Sequence, residues 1–228
     1  MQANGRVLLV LAVAALAGCN AGQISPVQTQ PGSQQSASSS EHLPVAGGGF
    51  DFYLLNLSWS PEFCATHGDA AECAEHDGFV LHGLWPQNYD GSYPQHCAST
   101  AGPTDASRYR DIFPDQHLLL HEWQTHGTCS GLSARDYFAT ARAAKKKVVV
   151  PKELVAPTSE LQLSPSAILG DFAAANPSIP RESFALSCGN NRLTAIEVCL
   201  GKDLNAVSCK GIRSCRANVV KVTPPGGE

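Results

Sequence analysis

The sequence lacks an excess of basic residues. Lysine and arginine total 16 and aspartate and glutamate total 20, so the formal net charge is −4 at pH 7. An acidic balance argues against capture of nucleic acid by a broad basic surface, because that mode of binding neutralises many phosphates at once. A polyanionic ligand would have to be held in a local pocket.

Metal-binding spacings are also absent. No C-x-x-C occurs, and the histidines of "HEWQTH" are five residues apart, whereas the H-E-x-x-H motif of zinc proteases places them four apart. On a continuous helix this spacing separates His121 from His126 by about 140° around the axis. The two imidazoles could not bind one ion from a single helix face, so we predict no metal and no cofactor.

The apolar run at the start of the chain, Val7 to Leu16, is too short to span a bilayer as a helix. Because Arg6 precedes it, we interpret residues 1–19 as a secretory signal. The run ends in "LAGC", which resembles the lipobox of bacterial lipoproteins, where the cysteine (here Cys19) is lipidated and becomes the first residue. Ordinary cleavage after Ala17, at the small-x-small site "ALA", is the alternative.

The nine cysteines favour the lipoprotein interpretation. If Cys19 carries lipid, eight remain between Cys64 and Cys215, and an even number in an exported chain predicts four disulfides formed in an oxidising compartment. Spacing alone does not establish how eight cysteines pair. Asn20 follows Cys19 in place of the aspartate associated with inner-membrane retention, which favours the outer membrane, facing the periplasm.

Residues 20–49 are rich in Ser, Gln, Pro, Gly and Ala. They cannot bury enough apolar surface to offset their conformational entropy, so we predict a flexible tether. Residues 50–228 suit a single domain with a sizeable core. Patterning and turn residues predict strands at 50–60, 77–85 and 192–200 and helices at 117–127, 134–147 and 164–178. Strands and helices interspersed with turn-rich connections indicate an α+β fold.

Histidines concentrate in two segments. "HEWQTHGTC" (His121 to Cys129) suits a catalytic acid–base group and a polar helix end equally well. "FVLHGLWPQ" (79–87) is predicted as a strand, and its alternation would put His82 on one face with Val80 and Leu84. A single histidine there could be a satisfied core residue, but the other segment offers it a catalytic partner. Five histidines are interpreted as surface or hydrogen-bonded residues: His42, His67, His76, His96 and His117.

The two segments "HGLWP" (82–86) and "HEWQTHGTC" resemble the active-site segments of the ribonuclease T2 family. Members of this family are secreted, metal-independent endoribonucleases. The resemblance extends to "LSWSPEFC" (57–64) and to the later cysteines, and so covers most of residues 50–215. It implies an α+β domain with a central, mainly antiparallel sheet, flanking helices and disulfides. It also implies single-stranded RNA as the substrate, and we expect a monomer.

The resemblance further implies a mechanism. Family members cleave by transphosphorylation: the 2′-hydroxyl attacks the adjacent phosphorus, a 2′,3′-cyclic phosphate forms, and hydrolysis opens it to a 3′-phosphate. By position, His126 would be the general base, His82 the general acid and His121 the ligand of the scissile phosphate. Glu122 would orient or polarise the centre; the alternative is a surface glutamate on a helix. Trp85 would stack on a base, since stacking contributes roughly 1–3 kcal/mol per base, whereas Trp123 is expected in the core.

Two positions depart from the family. Thr125 stands where members commonly carry a lysine that neutralises the phosphorane, and a hydroxyl can donate a hydrogen bond but carries no charge. Either another cation substitutes, or turnover is low. Gln87 occupies the place of an acidic residue thought to read the base, so the base preference stays open. Thr125 keeps a second hypothesis in view, an RNA-binding envelope protein with weak catalysis; a purely structural lipoprotein has no specific residue in its favour.

The resemblance also implies a pairing of the cysteines. The implied disulfides are Cys64–Cys73, Cys97–Cys129, Cys188–Cys215 and Cys199–Cys209. The second of these would tie the loop after the first histidine segment to the helix end that carries His126. The lysine run "AAKKK" (143–147) is interpreted as a solvated helix face rather than an RNA contact.

Overall fold

A computed structural model of the protein describes residues 49–74 and 78–226. The predicted secretory signal, the lipid anchor at Cys19 and the tether lie outside the described residues, as do His42 and His76. Across the two described ranges, no helix has both the length and the apolar character needed to cross a membrane.

A six-stranded sheet forms the centre of the fold. Its strands are β1 (Phe52–Trp59), β2 (Phe79–Gln87), β3 (Leu161–Leu163), β4 (Phe184–Gly189), β5 (Arg192–Leu200) and β6 (Val220–Val222). Strand β5 pairs with β1 and with β4 on its two sides, β2 lies beyond β1, and β6 joins the start of β5 and continues to β3. Within the described residues, only the β5–β6 pairing is parallel.

In the described part of the chain, four α-helices flank the sheet: α1 (Ser60–Cys64), α2 (Gln116–Thr125), α3 (Ala134–Lys146) and α4 (Pro165–Ala175). The side chains of Asp115, Ser133 and Ser164 each accept a hydrogen bond from a backbone N–H in the first turn of α2, α3 and α4, respectively, which fixes where these helices begin. Helices on a mainly antiparallel sheet confirm the α+β prediction.

The main hydrophobic core lies between one face of the sheet and the helices. Leu55, Leu57 and Trp59 of β1 point into it and meet Trp123 of α2 and Phe138 of α3. Trp123 is therefore a core residue, as expected, and its indole N–H donates to a backbone carbonyl. The core holds α2 against the sheet and so sets the distance between the two histidine segments.

The opposite face of the sheet carries a smaller apolar cluster. Phe52, Leu54 and Cys199 form it, and Trp85 and Ile212 pack against its edge. Because alternate residues of a strand point to opposite faces, β1 contributes to both clusters. This second face is where Trp85 of the first histidine segment is placed.

Some elements differ from the prediction. Strand β5 has the predicted bounds, but β2 continues past its predicted end, through Pro86 to Gln87. Proline is tolerated because β2 lies at the edge of the sheet, where a missing backbone N–H costs little. Strands β3, β4 and β6 and helix α1 were not predicted, because each is too short to show a clear period.

Four disulfides brace the domain, with the pairing that the resemblance implied. They are Cys64–Cys73, Cys97–Cys129, Cys188–Cys215 and Cys199–Cys209. Disulfides in this number are typical of proteins that fold in an oxidising compartment, so the chain belongs outside the cytoplasm.

Removing the Cys97–Cys129 disulfide should cost more than removing the shorter Cys64–Cys73 disulfide. Their sequence separations are 32 and 9 residues, and closing the longer loop restricts the unfolded chain more. We expect C97A/C129A to lose about 4 kcal/mol of unfolding free energy and C64A/C73A about 3 kcal/mol. Urea unfolding of both variants measures this, and an equal or reversed order would contradict the loop-closure account.

Candidate active site

The strand that carries His82 is interrupted by a β-bulge. Gly83 pairs with Asn56 and Leu81 pairs with Leu57, so His82 is an extra residue with no partner opposite it. Bulges of this kind re-aim a side chain and occur often beside active sites.

The bulge also changes which residues share a face, and the predicted strict alternation was wrong here. After the extra residue, Leu84 returns to the core face together with Leu81. Gly83 and Trp85 lie on the opposite face of the sheet. His82 is therefore not grouped with Val80 and Leu84, and its side chain is 40% exposed.

A hydrogen bond links the two histidine segments. The indole Nε1 of Trp85 donates to Oε2 of Glu122 at 2.7 Å. The bond passes directly over Gly83, where an added Cβ would collide with both of these atoms. Glycine is therefore required at this position for reasons of space.

Glu122 is completely buried on α2. Its second oxygen, Oε1, lies 3.7 Å from Nε2 of His82 and has no hydrogen-bond partner among the described residues. Burial raises the pKa of Glu122 to about 8, while the hydrogen bond from Trp85 opposes the rise. The predicted alternative, a glutamate on the helix surface, is wrong because this face of α2 packs against β2.

His126 directly follows the last turn of α2 and leads into a short 3₁₀ turn, Gly127–Cys129. Its ring centroid lies 5.2 Å from that of Trp85, and the centroid of His82 lies 5.5 Å from the same indole. Trp85 thus contacts both imidazoles. The convergence of His82 and His126 places two potential proton carriers at one site.

Burial and neighbouring imidazoles act on both histidines. The pKa of His126 is lowered to about 4 by burial and, to a smaller extent, by His121, His82 and His96. The pKa of His82 is lowered by burial and then by His121. His121 is itself exposed on α2; it lines one cleft together with His82 and is close enough to lower the pKa of both His82 and His126.

The described residues form two clefts beside these histidines. The first, here called the Trp85 cleft, has a volume of about 630 Å³, and its lining includes Trp85, Gln87, Tyr93, His126 and Arg213. This volume is in the range of sites for small molecules. Both predicted substrate-binding residues line the Trp85 cleft.

The second cleft is smaller, about 320 Å³, and is lined by His82 and His121 together with Phe63, His117 and Leu118. Each cleft therefore contains a histidine of the predicted catalytic set. His117 was predicted as a surface or hydrogen-bonded residue; it is exposed, and it also forms part of this wall.

Thr125 does not act as the sequence suggested. Its side chain is buried, and its hydroxyl is inaccessible to solvent and has no hydrogen-bond partner in the described part of the chain. A bound phosphate could not reach this hydroxyl. The position at which the resemblance implied a lysine therefore supplies neither charge nor a hydrogen bond here.

Unpaired buried polar atoms mark the same site. Four such side-chain atoms occur in the described ranges, and three belong to Glu122, Thr125 and His126. Native proteins rarely leave buried polar atoms unpaired, so a cluster of them indicates a functional centre. No group of three or more His, Cys, Asp or Glu in residues 49–74 and 78–226 is placed to hold a metal ion.

Several contributors were missed by sequence reasoning. His96 is exposed, as expected, but its backbone N–H donates to the carbonyl of Thr125 and its imidazole lowers the pKa of His126. Tyr93, in the loop after β2, lines the Trp85 cleft. Arg213, which is far from Trp85 in the sequence, lines the same cleft. Of these three residues, only His96 could have been found from the sequence, because it is adjacent to Cys97, whose disulfide to Cys129 was implied by the resemblance.

Comparison with known proteins assigns the chain to a family. Residues 50–209 match the model of the ribonuclease T2 family. The chain is 41% identical over 119 residues to a ribonuclease of Aeromonas hydrophila, covering 51% of this chain and 55% of that protein. It is 28% identical over 199 residues to ribonuclease DdI of Dictyostelium discoideum, covering 75% and 84%. The chain belongs to the ribonuclease T2 family.

The fold agrees with this assignment. The solved structure of RNase NT in complex with 5′-AMP superimposes with a TM-score of 0.62 at 23% identity, covering 78% of this chain and 99% of that one. At this level of identity the similarity concerns the fold alone. The chain spans only 55% of the Aeromonas protein.

Replacing Gly83 with alanine should disrupt the site. The new Cβ would force Trp85 and Glu122 apart, and we expect a loss of about 1–3 kcal/mol of unfolding free energy. Gly170→Ala is the matched control, since a Cβ there meets nothing within 4 Å and alanine favours the helix. Thermal unfolding of both variants measures the difference; a Gly83→Ala protein as stable as the parent would contradict the close approach.

Glu122→Gln should change how stability depends on pH. The folded-state pKa of about 8 lies above the ordinary glutamate value of 4.5, so the parent loses stability as pH rises between these values, by up to ~5 kcal/mol. Glutamine cannot ionise, so the variant should gain stability relative to the parent from pH 5 to pH 8. Thermal unfolding across this range measures it, with the exposed Glu153→Gln as control. A constant difference between parent and Glu122→Gln would contradict the raised pKa.

Proposed function

We propose that this chain is a metal-independent endoribonuclease that cleaves single-stranded RNA by transphosphorylation, through a 2′,3′-cyclic phosphate to 3′-phosphate products. The observation that carries the proposal is the convergence of His82 and His126 on Trp85, beside a buried carboxyl group. DNA lacks the attacking 2′-hydroxyl, so selectivity for RNA follows from the reaction.

His126 acts as the general base. With its pKa lowered to about 4, its imidazole is neutral at physiological pH and can accept the proton of the 2′-hydroxyl. Its position on the wall of the Trp85 cleft suits this role, because a nucleotide in that cleft would bring its ribose to the imidazole. Trp85 and the exposed Tyr93 supply aromatic surface for the base of that nucleotide.

His82 acts as the general acid together with Glu122. The carboxyl group lies 3.7 Å from Nε2 of the imidazole, and a side-chain movement of less than about 1 Å would bring the two within hydrogen-bond distance. Binding of the RNA phosphate adds a negative charge, which raises the proton affinity of His82 and counters the effect of burial. The imidazolium then protonates the 5′-oxygen as it leaves. His121, exposed beside His82, binds the scissile phosphate.

The direct test is digestion of RNA by the purified domain in the presence of a chelator. We expect cleavage to persist and to yield cyclic and then 3′-phosphate ends. His82→Ala and His126→Ala should each lower kcat by at least about 10²-fold, the usual contribution of general acid–base catalysis. His67→Ala is the control, because His67 is exposed in the loop that follows α1. Loss of activity on metal removal, or full activity of the two variants, would contradict the proposal.

The pH dependence of kcat/KM should be bell-shaped. The rate rises as His126 loses its proton near pH 4 and falls as Glu122, whose pKa is about 8, loses the proton that it supplies toward His82. In Glu122→Gln the alkaline limb should move toward the titration of His82 alone. Initial rates on a dinucleotide substrate measure both limbs; a flat profile between pH 4 and pH 8.5 would contradict the assigned roles.

A second candidate function is RNA binding with weak catalysis. The buried hydroxyl of Thr125 favours it, because no charge or hydrogen bond comes from this position to stabilise the phosphorane. Loss of one such donor costs about 10²–10³ in rate. Tight RNA binding without product would support this alternative, whereas the intact set His82, His121, Glu122 and His126 supports the enzyme.

The chain is further proposed to be a monomeric outer-membrane lipoprotein that faces the periplasm, anchored through lipid on Cys19. The "LAGC" ending of the apolar run and the even number of remaining cysteines support this. Mass spectrometry of protein expressed in a bacterium should find a lipidated N-terminal Cys19, and Cys19→Ser should leave the membrane fraction. An unmodified N-terminus at Gly18 would contradict the anchor.

A further inference from the structure

The segment between Cys209 and Cys215 is fixed rigidly against the sheet. Disulfides tie its two ends to Cys199 of β5 and Cys188 of β4. The backbone N–H groups of Cys209 and Cys215 also donate to carbonyls of the chain around β4. Gly211, with a φ of +92°, lies so close to the carbonyl of Tyr89 that a side chain would not fit. This segment, here called the stapled loop, therefore holds a defined position beside the Trp85 cleft.

One charged residue of the stapled loop faces the cleft. Arg213 is exposed and lines the same cleft as Trp85 and His126. No ion pair or side-chain hydrogen bond engages its guanidinium within residues 49–74 and 78–226. An arginine on a rigid loop with no protein partner is available for an anionic ligand.

The charge around the stapled loop differs in sign from that of the whole chain. Residues 201–217 contain four lysines and arginines and one aspartate, a net charge of +3. The whole chain has −4, so the remaining residues sum to −7. Positive charge is thus concentrated on the segment that contributes Arg213 to the cleft, where it would attract a polyanion locally.

The proposed function indicates which anion Arg213 would bind. If His126 removes the 2′-proton, then the nucleotide in the Trp85 cleft carries that hydroxyl, and its 3′-phosphate is the scissile one, next to the histidines. The other end of the same nucleotide is its 5′-phosphate. Among the described residues that line this cleft, Arg213 is the one lysine or arginine, and it is therefore the side chain available to bind that phosphate.

We propose that Arg213 binds the 5′-phosphate of the nucleotide whose 2′-hydroxyl attacks, so that the site recognises two consecutive phosphates of the RNA strand. A guanidinium can donate two parallel hydrogen bonds to a phosphate. This inference rests on the proposed function, and it explains how an acidic protein retains a polyanion: the two phosphates are held at separate points, one by His121 with His82 and the other by Arg213.

The experiment compares two dinucleotides of the same bases, one with a 5′-phosphate and one with a 5′-hydroxyl. The parent should cleave the phosphorylated substrate with about tenfold higher kcat/KM, the effect of one hydrogen bond to a charged group. Arg213→Ala should abolish this preference, so that the variant cleaves the two substrates with equal kcat/KM, and Arg213→Lys should retain part of it. The preference should weaken as salt is raised.

Arg216→Ala is the matched control. Arg216 is exposed, has the same charge and lies three residues away, but is not among the residues that line the cleft. It should keep the preference for the 5′-phosphate. Equal losses in Arg213→Ala and Arg216→Ala would show a diffuse field rather than a contact, and equal cleavage of both substrates by the parent would also overturn the inference.

Binding of uncleavable 2′-deoxy dinucleotides separates this inference from the proposed function. If the protein does not cleave RNA but binds the 5′-phosphorylated form more tightly, and Arg213→Ala removes the difference, the proposed catalysis fails and the Arg213 contact stands. If the protein cleaves RNA and neither assay distinguishes the two forms, only the Arg213 contact fails.

Discussion

The hydrogen bond between the indole of Trp85 and the carboxyl group of Glu122 organises this site. It joins the edge strand β2 to helix α2, and it passes so close to Gly83 that no larger residue fits at that position. One end of the bond fixes the indole that both imidazoles contact, and the other end fixes the carboxyl group beside His82. The bulge at His82, the packing of α2 on the core and the disulfide behind His126 all position the partners of this one contact.

Burying a carboxyl group and an imidazole in one site is unfavourable, and the chemistry uses that cost. Desolvation favours the neutral form of each group. His126 therefore stays unprotonated at pH values where an exposed histidine would bind a proton, and Glu122 keeps its proton at pH values where an exposed glutamate would have lost it. Because the pKa of His126 is lowered and that of Glu122 is raised, His126 is the group that takes a proton and Glu122 is the group that supplies one. The site therefore needs no strongly charged surface, which agrees with the acidic balance of the chain.

Sequence reasoning predicts much of this arrangement where a local pattern exists. Strand β5 alternates clearly and has its predicted bounds, and the residues around His82 and His126 are specific enough to indicate both the family and the chemistry. The bulge could not be predicted, because one extra residue in β2 is defined only by its pairing with Asn56 and Leu57. The burial of the Thr125 hydroxyl, the proximity of His96 and the position of Arg213 likewise depend on contacts between segments far apart in the chain.

The central claim is that burial at this contact keeps His126 neutral as a base. An NMR titration of the histidine side chains in the intact domain tests it most directly. The account predicts that His126 gains its proton only near pH 4, well below the ordinary histidine value of about 6.5, and that Trp85→Ala moves this titration upward by admitting water. A His126 that titrates near pH 6.5 in the parent protein would contradict the account.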